Sequence, residues 1–506
     1  MSNKKPNILF IMADQMAAPV LPFYNDSIVK TPHLSKLAKE GVVFDSAYCN
    51  SPLCAPSRYV LMSGQLPTRI GAYDNAAEFA ADIPTYPHYL RRAGYRTALT
   101  GKMHFCGPDQ LHGFEERLTS DVYPADYGWF PDWENSEPRP TWYHNMSSVT
   151  QAGPCVRSNQ LDFDDEVIFQ AERYLYDHAR SSDSRPFCLT VSMTHPHDPY
   201  TIPQYYWDKY RSEDINLPSI EIAPEDQDPH SQRLRGVYDI EKQEISEQQI
   251  RNARQAYYGA ISYVDDQIGK VLKVLKETGL EDNTIIVFSG DHGDMLGERG
   301  LWYKMSWFEW SARVPMIIHA PKHFTPHRVS ESVSTMDLLP TFVELANEGQ
   351  PASYANPIDG RSLLPHLQEK GGHDEVIGEY MGEGAIAPLF MIRRGHYKYV
   401  CSQPDPDQLF NLQQDPNELI NLAKDPAYAV QLAEFAKEAA ERWDVEVITE
   451  DVLLSQKRRR MVADALKQGK NTPWDHQPFV DASTQYMRNT IDLDDLEKRA
   501  RFPQVS

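Results

Sequence analysis

The 506-residue chain is poor in cysteine, in positive charge and in long apolar runs, and each shortage closes off a class of protein. Its six cysteines, Cys49, Cys54, Cys106, Cys155, Cys188 and Cys401, are scattered without a C-x-x-C pair, which argues against a disulfide framework. Lys and Arg number 50 against 72 Asp and Glu, a formal net charge of -22. Phosphate-rich partners need clustered positive potential, so neither nucleic acid nor an anionic membrane is expected as a partner. An acidic exterior suits a cationic small molecule, and equally an ordinary solvated surface. The opening MSNKKPNILFIMADQ has an apolar centre too short to cross a bilayer and no small-residue cleavage site before Asp14, so it reads as a buried strand of a cytoplasmic protein. The NMS sequon at Asn145 carries no weight without export. Internal repeats and low-complexity tracts are missing too.

What remains is an ordinary globular composition, 41% hydrophobic and 24% charged, long enough for two or more units with cores of their own. NILFIMAD is a continuous apolar run ending in a carboxylate, as expected of a strand covered on both faces. In TPHLSKLAKEG, Thr31 is the expected N-cap, Pro32 opens the helix and Gly41 stops it. YRTALTGKMH, PFCLTVSMTHPH, NTIIVFSGDHGD and RVPMIIHAP read as further strands. DDEVIFQAERYLYDHAR, the stretch from Ser246 to Gly279, and TMDLLPTFVELANEG read as helices. This alternation predicts an α/β fold with a mainly parallel central sheet flanked by helices, occupying residues 1–350. From 351 to 445 shorter alternating segments and a helix from about Pro426 to Trp443 predict a smaller α+β domain with an antiparallel sheet. Residues 446–506 form an extension too aromatic for a loose tail. The acidic stretch from Pro218 to Glu244 reads as a long surface loop.

Three strands end in chemistry: one at Asp14, one at His195 and His197, one at Asp291 and His292. Ligands in open α/β sheets collect beyond the carboxyl ends of strands, so these groups are expected to converge. SPLCAPSRYVLMSG places Cys54 between two prolines. A helix starting at Pro56 would set the thiol near its positive end, with Arg58 one turn on. Lys102 and His104 in GKMH alternate along a strand and so share a face, able to reach one anion together.

C-A-P-S-R fits C-x-P-x-R and resembles the signature by which type I sulfatases of the alkaline-phosphatase-like superfamily have a cysteine oxidised to formylglycine. GQLPTRIG, TGKMH, THPHDP and SGDHGDMLGERGLWYK follow in that family's order, and LFNLQQDPNELINLA resembles the start of its carboxyl-terminal domain. More narrowly, SPLCAPSR, YDNAAEF, GKMHFCGPDQLHGFEERLTSDVYPADYGW, THPHDPY, GDMLGERGLW and PWDHQP resemble the choline-sulfatase branch over nearly the whole chain.

The resemblance implies hydrolysis of choline-O-sulfate to choline and sulfate, with a formylglycine derived from Cys54 as nucleophile. It implies Arg58, Lys102, His104, His197 and Lys304 as its catalytic companions. His195 competes for the histidine role and is expected to pack or to support its loop. Asp14, Asp291 and His292 match metal positions, for one divalent ion, Ca2+ first and Mg2+ or Mn2+ as alternatives. Gln15 and His292 stand where many sulfatases have an aspartate and an asparagine, which leaves the metal's identity open. Choline offers no hydrogen to donate, so its pocket must rely on aromatic faces and carboxylates. Asn75, Trp129 and Glu383 match such positions, and Asp494 in IDLDDLE is expected to close the pocket, from the same or a neighbouring subunit. A formylglycine-generating enzyme is implied as maturation partner, and a homo-oligomer, dimer or tetramer, as the assembly. The alternatives are a phosphonate monoester or phosphodiester hydrolase or an arylsulfatase of the same superfamily, or, in another class, a noncatalytic protein that binds choline or sulfate.

Overall fold

The computed structural model describes residues 5–25, 27–135, 140, 142–488, 490–500 and 502. Its centre is the apolar run foreseen above. Every residue of β1 (Asn7–Asp14) is buried, because a strand apolar at both parities has no face to offer water. In chain order β2 is Val42–Tyr48, β3 Arg96–Gly101, β4 Glu116–Arg117, β5 Gly153–Cys155, β6 Phe187–Pro196 and β7 Thr201–Pro203. Next come β8 (Thr284–Gly290), β9 (Met316–His319) and β10 (His327–Ser334). Eight strands form one sheet in the order β10-β2-β9-β8-β1-β6-β3-β4, while β5 and β7 make a small pair of their own. All pairings in the large sheet are parallel except those of β9, which runs antiparallel to both β2 and β8. The mainly parallel sheet expected from the sequence is present, with one reversed strand at RVPMIIHAP.

Helices cover the sheet. Asn159–Arg180 and Glu247–Glu277 pack against each other and against β6. Ser246 opens the second with a capping box shared with Gln249, satisfying donors that the first turn leaves free. Cys54–Ser63, Tyr86–Arg92 and Leu338–Ala346 pack together, and Phe342 sets its edge on Phe10 of β1, ring centres 5.4 Å apart. Thr31 caps Pro32–Glu40 in position but not through its side chain. Gly41 ends that helix in extended backbone. It is glycine for space, since a Cβ there would lie 2.8 Å from the carbonyl oxygen of Ile318.

The second sheet, β11 (Glu375–Tyr380), β12 (Leu389–Arg394), β13 (Tyr397–Ser402) and β14 (Asp405–Asn411), is antiparallel throughout. Helix Ala429–Arg442 covers it, with Phe435 stacked on Tyr399 and Trp443, just past its end, stacked on Phe390 at 4.2 Å. Asn50, four residues before Cys54, ties the two sheets together: its Nδ2 donates to Ile377 O, and its O accepts from Glu379 N–H. Lys398, fully buried, joins Glu309 and Glu418 at 2.7 and 2.8 Å.

One expectation is corrected. The stretch from Pro218 to Glu244 contains a helix, Pro229–Val237, N-capped by Asp228. It docks through Arg233, which forks onto Asp405, and through buried His230 and Leu234. Its few apolar residues hid it in the sequence. The extension is ordered as helix Val445–Leu466, followed by segments that place Trp474 edge-on to Tyr127, His476 on the Arg117 carbonyl, and Leu493–Ala500 as a short helix.

Candidate active site

The carboxyl ends of β1, β3, β6 and β8 deliver Asp14, Lys102, His197 and Asp291 to one edge of the sheet. The nucleophile helix starts at Cys54 itself, two residues earlier than expected. Pro56 therefore sits at its third position, where the missing N–H removes a donor that has no helical acceptor in any case. Cys54 Sγ lies 3.2 Å from His292 Nε2 and 3.9 Å from Asp14 Oδ1. Burial would raise the thiol, yet Lys102, Lys304 and His292 hold it well below its ordinary value. The site is electropositive at the point where an anion must be met.

Arg58 is wholly buried and aimed by four groups. Its Nε donates to Asp291 Oδ2 at 2.9 Å, one Nη donates to Ser192 Oγ at 2.9 Å and to the Lys102 carbonyl, and the other faces Asp14 Oδ1 at 3.6 Å. That second Nη has no hydrogen-bond partner among the described residues, so a donor remains directed into the cradle. Lys102 Nζ pairs with Asp14 Oδ2 and lies 4.3 Å from the ring centre of Tyr123. Burial acts to raise Asp14, but Lys102, with His197 and Arg58, holds its carboxyl below the usual range.

The strand-face reading of Lys102 and His104 is corrected. β3 stops at Gly101, whose φ of 106° turns the chain, and a Cβ there would collide with the Ser192 carbonyl oxygen. His104 itself is left-handed, φ 58°. A backbone turn, not alternation, brings both side chains to the site. Asp121 fixes that turn by accepting from the N–H groups of Met103 and His104. Burial lowers His104, against the opposing pull of its hydrogen bond with Cys54.

On the opposite wall Lys304 Nζ lies 2.6 Å from Gln15 Oε1 and 2.8 Å from His197 Nε2. Gln15 in turn donates through Nε2 to Asp294 Oδ2 at 2.7 Å. His195 turns away, pairing through Nδ1 with Asp164 Oδ2 at 2.7 Å on helix Asn159–Arg180. The loop-support reading describes that placement.

Asp14, Asp291 and His292, together with Cys54, offer ligand atoms within 4.8 Å of one another, all buried. His292 Nδ1 donates to the Gly293 carbonyl at 3.1 Å, and Nε2 faces Asp14 Oδ1 at 3.8 Å and Asp291 Oδ2 at 3.7 Å. Burial lowers the imidazole's pKa, but Asp291 and Cys54 outweigh it and raise it. Nε2 and the two carboxylates thus converge on a point that calls for positive charge, a proton on Nε2 or a cation in its place. The donor set of two carboxylates and one imidazole fits a divalent ion.

Beyond the cradle, Trp129 and Tyr123 meet edge to face at 5.2 Å, and both flank His104. Glu383 is buried with Oε2 3.4 Å from His144 Nδ1. Asn75 is buried, and its Oδ1 accepts from the Ala55 N–H at 3.0 Å, so it also supports the helix that carries Cys54. Asp494 is elsewhere. Its helix lies beside Phe169, Tyr176 and Arg180, near Arg96 at the amino end of β3, the end of the sheet away from Cys54. It does not close the pocket of its own chain. The sequence reading had not singled out Tyr123, His144, Asp198 or Asp294. Asp198 lies in THPHDP, Tyr123 and Asp294 lie within the longer motifs quoted above, and His144 alone lies outside them all.

The family model described as Sulfatase matches residues 6–348, Choline sulfatase enzyme C terminal matches 450–502, and N-sulphoglucosamine sulphohydrolase, C-terminal, matches 297–443. The chain belongs to the sulfatase family, hydrolases of sulfuric esters. Among its relatives, the choline-sulfatase of Rhizobium meliloti is 47% identical over 518 residues, covering 100% of both chains. An arylsulfatase of Clostridium perfringens is 28% identical, covering 81% of this chain and 90% of its own. Among solved structures, the phosphonate monoester hydrolase of Agrobacterium radiobacter superposes with a TM-score of 0.68 at 24% identity, covering 86% of this chain and 95% of its own. A 2-O GAG sulfatase gives 0.67 at 24%, covering 94% and 99%. These two likenesses establish the fold.

Proposed function

We propose that the protein hydrolyses choline-O-sulfate to choline and sulfate. The full-length 47% identity to a choline-sulfatase carries this reading, and the pairing of an anion cradle with an aromatic and acidic wall supports it. A sulfate monoester resists anionic attack because its own oxygens are negative, so the cradle must neutralise them before the sulfur is approached. Lys102 and Lys304, on opposite walls, do this for the nonbridging oxygens. Arg58, held by Asp291, Ser192 and the Lys102 carbonyl, aims its remaining donor at the oxygen on residue 54. Once Cys54 is converted to formylglycine, the hydrate at that position would supply one hydroxyl for attack on sulfur and a second whose deprotonation would release sulfate. Asp14, Asp291 and His292 would hold a divalent ion, which would supply positive charge to the same oxygens. Neutral His104 is placed to accept the proton of the second hydroxyl. Lys304, held by His197, donates to the departing choline oxygen. Choline's trimethylammonium group rests against Trp129 and Tyr123, with Glu383 as counter-charge.

Ca2+ is our first assignment for the ion, with Mg2+ and Mn2+ next. A cytoplasmic location agrees with the acidic composition, and no described helix is long and apolar enough to cross a membrane. We read the chain as a catalytic domain at 1–350, a smaller domain at 351–445 and an extension at 446–506. In a homo-oligomer of two or four chains, Asp494 would serve a neighbour's pocket, since it lies far from its own. Maturation requires a formylglycine-generating enzyme, and conversion of Cys54 lowers the intact mass by about 18 Da.

The test is sulfate release by the matured enzyme from choline-O-sulfate, 4-nitrophenyl sulfate and a phosphonate monoester. A kcat/KM for choline-O-sulfate far above the other two is expected. A value on either of the other two comparable with that on choline-O-sulfate would overturn the substrate assignment.

A further inference from the structure

Helix Val445–Leu466 gives no side chain to the cradle, yet its three buried residues are Val452, Gln456 and Arg459, spaced i, i+4, i+7 along one face. Each meets a different segment of the proposed choline pocket. Val452 packs with Tyr73 and Met381, two residues from Glu383. Gln456 Oε1 accepts from the Trp133 N–H at 3.0 Å. Arg459 forks onto Asp74, Nη1 to Oδ1 at 2.6 Å and Nη2 to Oδ2 at 2.8 Å. Its guanidinium also lies 5.0 Å from the ring centre of Phe130, the neighbour of Trp129. Asp74 precedes Asn75 and spends Oδ1 on the Ala76 N–H as well, at 2.9 Å. On the outer side Arg460 pairs with Asp132 at 2.8 Å.

Burying an arginine and a glutamine costs desolvation that an apolar face would avoid, and such pairs hold geometry better than they add stability. The helix therefore fits a clamp better than a filler. We propose that Arg459 is a positioning residue for substrate selectivity: through Asp74 and Phe130 it fixes the segments carrying Asn75 and Trp129 at the spacing that choline requires. The inference rests on the choline-O-sulfate reading.

The experiment compares Arg459→Met, Arg459→Lys and the double variant Asp74→Asn/Arg459→Met on choline-O-sulfate and 4-nitrophenyl sulfate. In Arg459→Met and in the double variant, KM for choline-O-sulfate is expected to rise about tenfold or more, with kcat/KM for the aryl ester within about threefold of wild type. Arg459→Lys keeps the charge but not the fork and should recover part of the loss. The double variant leaves no buried unpaired carboxylate, so it carries the test if Arg459→Met fails to fold. Equal losses on both esters, unchanged KM, or failure of both variants to fold would overturn the inference. A wild-type enzyme that does not favour choline-O-sulfate would instead overturn the functional reading, and that outcome shows before any variant is made.

Discussion

Lys304 Nζ stands 2.8 Å from His197 Nε2, and the contact assigns the protons on both. His197 Nδ1 lies 2.6 Å from the Asp198 carbonyl oxygen and must donate there, so Nε2 accepts and Lys304 is the donor. Burial lowers Lys304, but Cys54, Asp198 and Asp14 outweigh it and raise its pKa, keeping the ammonium charged. The proton for the leaving oxygen therefore resides on a lysine that His197 holds in place.

Replacing that lysine should hurt poor leaving groups most. Lys304→Met is expected to lower kcat on choline-O-sulfate by about 10²–10⁴, the usual worth of a general acid. An aryl sulfate, whose phenolate leaves without help, should lose far less. Steady-state kinetics on the two esters checks this, and equal losses would reduce Lys304 to a sulfate anchor.

The pocket wall gives the complementary pattern. Glu383 is buried, and its charge is matched in this reading by the substrate cation. Glu383→Gln keeps the shape and removes the charge, so KM for choline-O-sulfate should rise about 10–100-fold, the worth of one charge-assisted contact. The aryl ester should be unaffected.

Metal removal should abolish activity without unfolding the protein. The Asp14, Asp291 and His292 cluster is fixed by Arg58, by Lys102 and by the backbone N–H groups of Gln15 and His292, each 2.9 Å from Asp291 Oδ1. Chelation followed by elemental analysis and re-addition of Ca2+, Mg2+ or Mn2+ would show which ion restores turnover. Full activity with no bound metal would contradict the assignment.

Acid stability has a locatable contribution. His112 is buried between the rings of Phe79 and Phe105, centres 4.4 and 4.5 Å away, and burial pushes its pKa down to about 4. The unfolded chain binds a proton near pH 6.5 that the folded one refuses until about pH 4, so stability is lost as pH falls through that window. Between pH 7 and pH 5 the loss from this group is on the order of 2 kcal/mol. His112→Asn, which tolerates the left-handed backbone there (φ 40°), should show a correspondingly smaller shift in urea midpoint between the two pH values.

The places where the sequence misled share a cause. Helix Pro229–Val237 is anchored by Arg233 to Asp405, and no periodicity announces a helix held by ion pairs. Lys102 and His104 sit past the strand that was expected to align them, because Gly101 turns the chain against Ser192. Asp494, one of several acids in its tail, gave no sign of which end of the sheet it meets. Each of these depends on a partner remote in sequence.

The sequence by itself determined the strand that ends at Asp14, the alternation that builds a parallel sheet, and the kinds of group available at the strand ends, since these follow from local apolar pattern and residue chemistry. Only the tertiary structure decided that His292 Nε2 faces two carboxylates beside Cys54, and that Arg459 reaches Asp74 across 385 residues of chain. Such contacts join side chains that no local period relates, and their energies exist only once the packed sheet has brought them within reach.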